Sequence, residues 1–89
     1  MNEVFYNEYK NILMPLQEKG WYFLKLQENE ILMRKQFEEL EEIKINPYGQ
    51  SIEFTLPMQN SSFSFYKMMK NDQQSIDFFK NYITSILYV

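Results

Sequence analysis

The amino-acid sequence predicts an α+β fold in which N- and C-terminal helices flank a four- or five-stranded antiparallel β-meander. Three observations indicate this fold class. Apolar residues recur at helical spacing near both ends of the chain, they alternate with polar residues in short runs between those ends, and very short connections separate the runs. Because 89 residues suffice for one hydrophobic core, we expect residues 1–89 to form a single compact α+β domain.

The first predicted element is an amphipathic helix over residues 3–14. Tyr9 and either Ile12 or Leu13 lie about one helical turn apart on its apolar face. Pro15 cannot continue the hydrogen-bonding pattern of a helix, so we expect either a kink there or a stop followed by one short turn. Gly20 is predicted to end this segment, because glycine adopts the left-handed conformation of a helix C-terminus without steric penalty.

The middle of the chain predicts β-strands, because apolar residues alternate with other residues in five short runs. The clearest turn is Asn-Pro-Tyr-Gly at residues 46–49, between the third and fourth runs. Residues 30–44 are also strong helix formers at helical spacing, so a helix stays open there as the alternative to a hairpin. The apolar residues expected to share one sheet face are Tyr22, Leu24, Leu26, Ile31, Met33, Phe37, Ile43, Ile45, Ile52, Phe54, Leu56, Phe63 and Phe65.

A second amphipathic helix is predicted at the C-terminal end of the chain. Asn71 with Gln74 three residues later forms a capping-box pattern, and Asp72 suits the positive end of the helix dipole. The two terminal helices are expected to cover the apolar face of the sheet. The apolar residues that recur at intervals of three and four in this helix are Ile76, Phe79, Ile83 and Ile86.

The opposite face of the predicted sheet carries a group of large side chains. Its middle is polar, as is typical of a sheet face in contact with water, but the first two strands and the last one add aromatic, apolar and arginine residues. Such residues are enriched in the cores of protein–protein interfaces, although a helix of the same chain could also cover them. The predicted partner-binding residues are Trp21, Phe23, Leu32, Arg34 and Tyr66, together with Tyr48, which the turn at residues 46–49 exposes.

The composition argues against catalysis. The chain contains one tryptophan, seven tyrosines and eight phenylalanines, but no histidine and no cysteine. It therefore lacks the commonest acid–base catalyst, the thiol nucleophile and the usual zinc ligands, so we expect no catalytic residue, no cofactor and no metal centre. A dense group of carboxylates is typical of a solvated face, and as an acidic patch it would suit a basic partner. This acidic patch comprises Glu38, Glu39, Glu41 and Glu42.

Charge and hydropathy limit the classes of partner. The net charge is −3 and the cations are scattered, which disfavours nucleic acid, since that binding depends on clustered cations that displace counterions. The first residues lack the basic start and apolar core of a signal peptide, and no run approaches the roughly 20 apolar residues that span a bilayer. We therefore expect a cytoplasmic protein without membrane contact.

The function predicted from the sequence is that of a small non-enzymatic protein-binding module acting through an aromatic patch on a sheet face. Small acidic domains of bacterial or phage origin often act as inhibitors, immunity proteins or accessory subunits, which is an association with a class and not a deduction from residues. The expected partner is another protein or a second copy of the chain. One alternative is a homodimeric structural protein, and another is a single-stranded nucleic-acid-binding module that uses Phe23, Tyr66, Lys67 and Lys70.

Overall fold

The computed structural model of the chain describes residues 3–27, 29–36, 38–58 and 63–87, apart from the side chains of residues 3–5, 38–40 and 87. The helices are α1 (Glu3–Leu13), a 3₁₀ helix (Met14–Lys19) and α2 (Gln73–Leu87). The strands are β1 (Trp21–Gln27), β2 (Glu30–Lys35), β3 (Glu38–Tyr48), β4 (Ser51–Pro57) and β5 (Ser64–Lys70). The predicted α+β fold, with a helix at each end and an antiparallel meander between them, is confirmed.

All five strands belong to one antiparallel sheet in the order β1-β2-β3-β4-β5. Residues 30–44 fall within β2, β3 and the turn between them, so the predicted hairpin is correct and the helical alternative is wrong. Ile31 pairs with Ile45 and Met33 pairs with Ile43, and all four side chains are fully buried. Burial of these cross-strand pairs outweighs the helix propensity of the glutamate-rich sequence between them.

The N-terminal helical segment changes geometry at the proline, as the sequence predicts. The α-helix ends at Leu13, and Pro15 lies in the first turn of the 3₁₀ helix that follows. Gly20 ends the segment with φ of 91°, and its N–H donates to the Leu16 carbonyl. Leu16, within the 3₁₀ helix, is fully buried in the core.

The core lies between one face of the sheet and the two helices. Tyr9 from α1, Phe54 from β4 and Phe79 from α2 form a ring cluster with centroid separations of 5.2–5.8 Å. The hydroxyls of Tyr9 and Ser75 are hydrogen-bonded at 2.9 Å, which joins α1 to α2 inside the core. The buried apolar residues are Tyr9, Leu13, Leu16, Trp21, Ile31, Met33, Ile43, Ile45, Ile52, Phe54, Leu56, Ile76, Phe79 and Ile83.

The N-terminal cap of α2 differs from the prediction by one residue. The Asp72 carboxylate, not the Asn71 side chain, accepts hydrogen bonds from the main-chain N–H groups of Gln74 and Ser75, at 3.0 and 3.4 Å. The Ser75 hydroxyl donates to the Asp72 carbonyl at 2.7 Å. Asp72 caps the helix because the main chain of Asn71 still extends the β4–β5 ladder, with its N–H donating to the Gln50 carbonyl.

Candidate partner-binding face

The register of the sheet defines a core face and an outer face. Residues paired directly across antiparallel strands project to the same side, so the partners of buried residues belong to the core face and the alternate positions belong to the outer face. Both helices contribute to the core cluster. The outer face includes Tyr22, Lys25, Glu30, Leu32, Arg34, Glu42, Lys44, Asn46, Tyr48, Ser51, Glu53, Thr55, Tyr66, Met68 and Lys70.

The sequence prediction for the faces of β1 is wrong at its N-terminal half. Trp21 is only 5% exposed and belongs to the core, and Phe23 is half-buried against the same cluster. Neither residue therefore lies on the outer face, whereas Tyr22, predicted on the core face, is exposed and pairs with Arg34. The error has a physical cause: residues 21–24 are all apolar, so alternation carries no information about which side faces the core.

A register shift at Leu24 accounts for the rest of β1. Phe23 pairs with Met33, but Lys25 pairs with Leu32, so Leu24 is the extra residue of a β-bulge and is exposed. Before the bulge the odd-numbered residues project to the core face, and beyond it the even-numbered residue Leu26 does so. Leu26 pairs with buried Ile31 at the rim of the core face, as the sequence predicts. The bulge thus explains why Trp21 and Phe23 before it and Leu26 after it project to the same side of the sheet.

The predicted core-face phenylalanines near the ends of strands have different outcomes. Phe63 precedes β5 and is 74% exposed, so its predicted burial on the core face is wrong. Phe37 lies outside the described residues. Phe65, predicted on the core face together with Phe63, is half-buried. Its ring packs edge-on against the ring of Tyr82 in α2, with 5.3 Å between the ring centres, as expected of the core face.

The other predicted partner-binding residues do share the outer face. Leu32, Arg34 and Tyr66 lie on it, and Tyr48 lies at its end, where it pairs with Ser51. Tyr48 and Tyr66 are 59% and 57% exposed. Met68, which pairs with Glu53 on this face, is 53% exposed. The outer face therefore exposes large side chains of the kind that bury well against a partner.

Tyr66 is held on the outer face by a carboxylate of the neighbouring strand. Its hydroxyl donates to Glu53 Oε1 at 2.5 Å, and this hydrogen bond raises the pKa of the Tyr66 phenol to about 12. Because the phenol stays protonated at neutral pH, it remains a donor and keeps the ring oriented. The arrangement presents a fixed aromatic side chain beside Met68.

Ion pairs cross the outer face between the first three strands. Lys25 Nζ lies 2.8 Å from a carboxylate oxygen of Glu30, and Lys44 Nζ lies 3.5 Å from the other oxygen of the same group. The hydrogen bond from Lys25 is the main reason that the pKa of Glu30 is lowered. Glu30 is thus shared between two lysines that flank Leu32.

The predicted acidic patch is only partly described, and its described carboxylates face cations. Glu42 Oε2 lies 3.3 Å from Arg34 Nη2, and Glu41 Oε2 lies 3.5 Å from Lys35 Nζ. The side chains of Glu38 and Glu39 lie outside the described part. The carboxylates of Glu41 and Glu42 are therefore paired with cations within the sheet. These two glutamates do not form an unopposed negative surface.

The four residues of the nucleic-acid alternative do not share a surface. Tyr66 and Lys70 lie on the outer face, whereas Phe23 packs against the core cluster. Lys67 pairs with Phe54 on the core side, and its ammonium lies 5.1 Å from the centre of the Phe78 ring. A strand of nucleic acid would have to contact both sides of the sheet to reach all four residues.

Other concave and charged features are modest. A groove of about 340 Å³ lies between the helices, lined by Glu8, Asn11, Ile12, Lys80 and Thr84 among others. Across residues 3–27, 29–36, 38–58 and 63–87, no group of three acidic residues is placed to hold a metal ion. In the same ranges, no helix is long and apolar enough to cross a membrane.

When the chain is compared with protein-family models, with curated proteins and with solved structures, nothing matches it.

Proposed function

We propose that this chain is a non-enzymatic protein-binding module and that the outer face of its sheet contacts the partner protein. The observation that carries the proposal is the difference in cover between the two faces. Both helices pack on the core face, while Tyr48, Tyr66 and Met68 on the outer face each expose more than half of their surface.

The chemistry of the outer face suits a protein partner. Tyrosine, methionine and arginine are enriched in the cores of protein–protein interfaces, and tyrosine and arginine are also frequent among the residues that carry most of the binding energy. Leu32 and Arg34 are half-buried on β2, across the polar middle of the outer face from Tyr66 and Met68 on β5, and the guanidinium of Arg34 lies 3.3 Å from Glu42. The ion pairs that flank Leu32 would form part of the polar rim of the interface.

The experiment compares a variant that removes exposed side chains from the outer face with a variant that removes an exposed side chain from the helical side of the molecule. Tyr48→Ala with Tyr66→Ala removes two aromatic rings from the outer face, and Met14→Ala removes an exposed side chain from the 3₁₀ helix. A partner is first captured with the wild-type chain from the host lysate, and its dissociation constant is then measured with purified proteins. We expect the double tyrosine variant to weaken binding roughly tenfold or more and Met14→Ala to leave it unchanged.

Thermal unfolding of each variant is the control for the fold. If the double tyrosine variant unfolds like the wild type and still binds the captured partner at full strength, the proposal is wrong. Loss of binding in Met14→Ala alone would move the contact to the helical side of the molecule.

A further inference from the structure

The two edges of the sheet differ in how their main-chain groups are protected. An edge strand presents unpaired N–H and C=O groups that can accept a further strand, and proteins usually blunt it with bulges, charges or covering segments. The β1 edge has a bulge at Leu24, contacts the 3₁₀ helix, and has its Leu26 carbonyl bonded by the Tyr6 hydroxyl at 3.3 Å. The β1 edge is therefore a poor template for another strand.

The β5 edge is regular over its whole length. All seven residues from Ser64 to Lys70 pair with β4 without a register shift. Two hydrogen bonds that flank the strand show which groups point inward: Asn71 N–H donates to the Gln50 carbonyl, and the Phe63 carbonyl accepts from Met58 N–H. Since main-chain groups alternate in direction along a strand, the even-numbered residues of β5 direct theirs to the open side.

The open side of β5 is therefore a continuous row of main-chain donors and acceptors. Ser64, Tyr66 and Met68 direct both their N–H and C=O groups outward by this alternation. At the C-terminal end, the Lys70 carbonyl already accepts from Asp72 N–H at 2.9 Å. A further strand would thus meet about five residues of usable ladder, which is an ordinary strand length.

The charges along β5 define the kind of strand that fits. On β1, β2 and β3, the lysines and the arginine of the described chain each lie within 3.5 Å of a carboxylate. Lys67 and Lys70 have no such ion pair with any described residue, and β5 contains no acidic side chain. A second copy of β5 would bring further lysines to the same edge, whereas carboxylates would neutralise them.

We propose that the free edge of β5 binds an extended, acidic segment of a partner protein as a sixth strand of the sheet. The inference rests on the proposed function, because it names the partner segment that reaches the outer face through Tyr66 and Met68. Main-chain hydrogen bonds to Tyr66 and Met68 would supply the affinity, and carboxylates within reach of Lys67 and Lys70 would supply the specificity.

The charge requirement is tested with two synthetic peptides of about ten residues, one combining valine with glutamate and the other valine with lysine. Both peptides carry charged residues on the two faces of the added strand, because Lys67 and Lys70 lie on opposite faces of the sheet. We expect the glutamate peptide to bind the wild-type chain roughly tenfold more tightly in fluorescence anisotropy. The double variant Lys67→Glu with Lys70→Glu is expected to reverse that preference. Equal binding of the two peptides to the wild type would overturn the proposal.

The main-chain requirement is tested separately. Proline is tolerated on an edge strand where its missing N–H faces outward, so Met68→Pro should remove one edge donor while Met68→Ala removes only the side chain. We expect Met68→Pro to weaken the glutamate peptide roughly tenfold relative to Met68→Ala. A glutamate peptide methylated on alternate main-chain nitrogens gives the same test with the wild-type chain, so a folding defect in Met68→Pro does not decide the result.

Other outcomes identify other occupants. A dimer in sedimentation experiments that Met68→Pro dissociates would assign the edge to a second copy, and displacement of the peptide by single-stranded RNA would assign the lysines to nucleic acid; either result overturns the acidic segment. If Met68→Pro and the methylated peptide bind normally while Tyr48→Ala with Tyr66→Ala abolishes partner binding, the edge inference fails and the outer-face proposal stands.

Discussion

The two faces of this single sheet contain similar aromatic side chains in very different surroundings. On the core face, Phe54 packs against the ring of Tyr9 from α1 and is fully buried, while on the outer face Tyr66 is mostly exposed and hydrogen-bonded to Glu53. The difference teaches that aromatic content alone does not distinguish a residue that stabilises the fold from one that is available for binding. Position in the register decides it, because one step along a strand exchanges the faces.

The largest expected effect is the difference in free energy of unfolding between a core-face variant and an outer-face variant. Trp21→Ala should lower the free energy of unfolding by about 3–5 kcal/mol, because it leaves a cavity beside the core cluster. Tyr66→Ala, which removes an exposed ring, should cost less than about 1 kcal/mol. Urea denaturation of both variants measures the difference.

A small effect of Trp21→Ala would contradict the placement of Trp21 in the core. It would also reopen the sequence-based expectation that this tryptophan contacts a partner. Circular dichroism of the variant checks that any loss of stability reflects unfolding and not aggregation.

The next prediction concerns Tyr9 and Tyr66, whose pKa values are both raised to about 12 but by different causes. Burial is the main reason that the pKa of Tyr9 is raised to about 12, whereas the hydrogen bond to Glu53 is the main reason for the value of about 12 at Tyr66. Glu53→Gln should therefore lower the pKa of Tyr66 towards the ordinary value of 10.0 and leave Tyr9 unchanged. Absorbance titration of the tyrosinates, with Tyr66→Phe and Tyr9→Phe as assignments, measures both groups.

The sign of the stability effect follows from proton binding at Tyr9. Between pH 10 and 12 the folded chain retains this proton while the unfolded chain loses it, so stability is complete below about pH 10 and decreases as the pH rises. A gap of about two pH units at ~1.4 kcal/mol per unit corresponds to about 3 kcal/mol by pH 12. Tyr9→Phe should flatten this part of the pH profile. An unchanged slope would show that the Tyr9 phenol is not protected by the core.

The smallest expected effect belongs to an ion pair of the outer face. Glu42→Gln removes the charge opposite Arg34, but both side chains are about a third exposed and water screens their attraction. The loss in free energy of unfolding should be below about 1 kcal/mol and should shrink further with added salt. A larger loss that salt does not reduce would indicate that the pair is part of the core, against the division of the two faces.

The parts of the fold with a clear period could be predicted from the sequence. Ile52, Phe54 and Leu56 alternate with polar residues, and all three are buried on the core face as expected. Gly20 could be predicted because a left-handed residue after a proline-interrupted helix has few alternatives. In both cases a single local rule agrees with the packing of the whole chain.

The candidate site was harder to predict because its decisive features depend on pairing. Neither the bulge at Leu24 nor the inward position of Trp21 has a local signal, since residues 21–24 are all apolar. The contrast between the two edges also depends on strand order, which places β1 and β5 on the outside. Leu32, Arg34 and Tyr66 could nevertheless be assigned to the outer face from the alternation along their strands.

The consecutive order of the strands has a consequence for how the chain folds. Each strand pairs with its neighbour in the sequence, so the sheet can grow hairpin by hairpin through local contacts, which favours fast folding. The bond between Tyr9 and Ser75 instead joins residues that are 66 positions apart. The entropy lost on closing that long loop is offset only when α1 and α2 pack together over a sheet that already exists. We therefore expect the two ends of the chain to come together last.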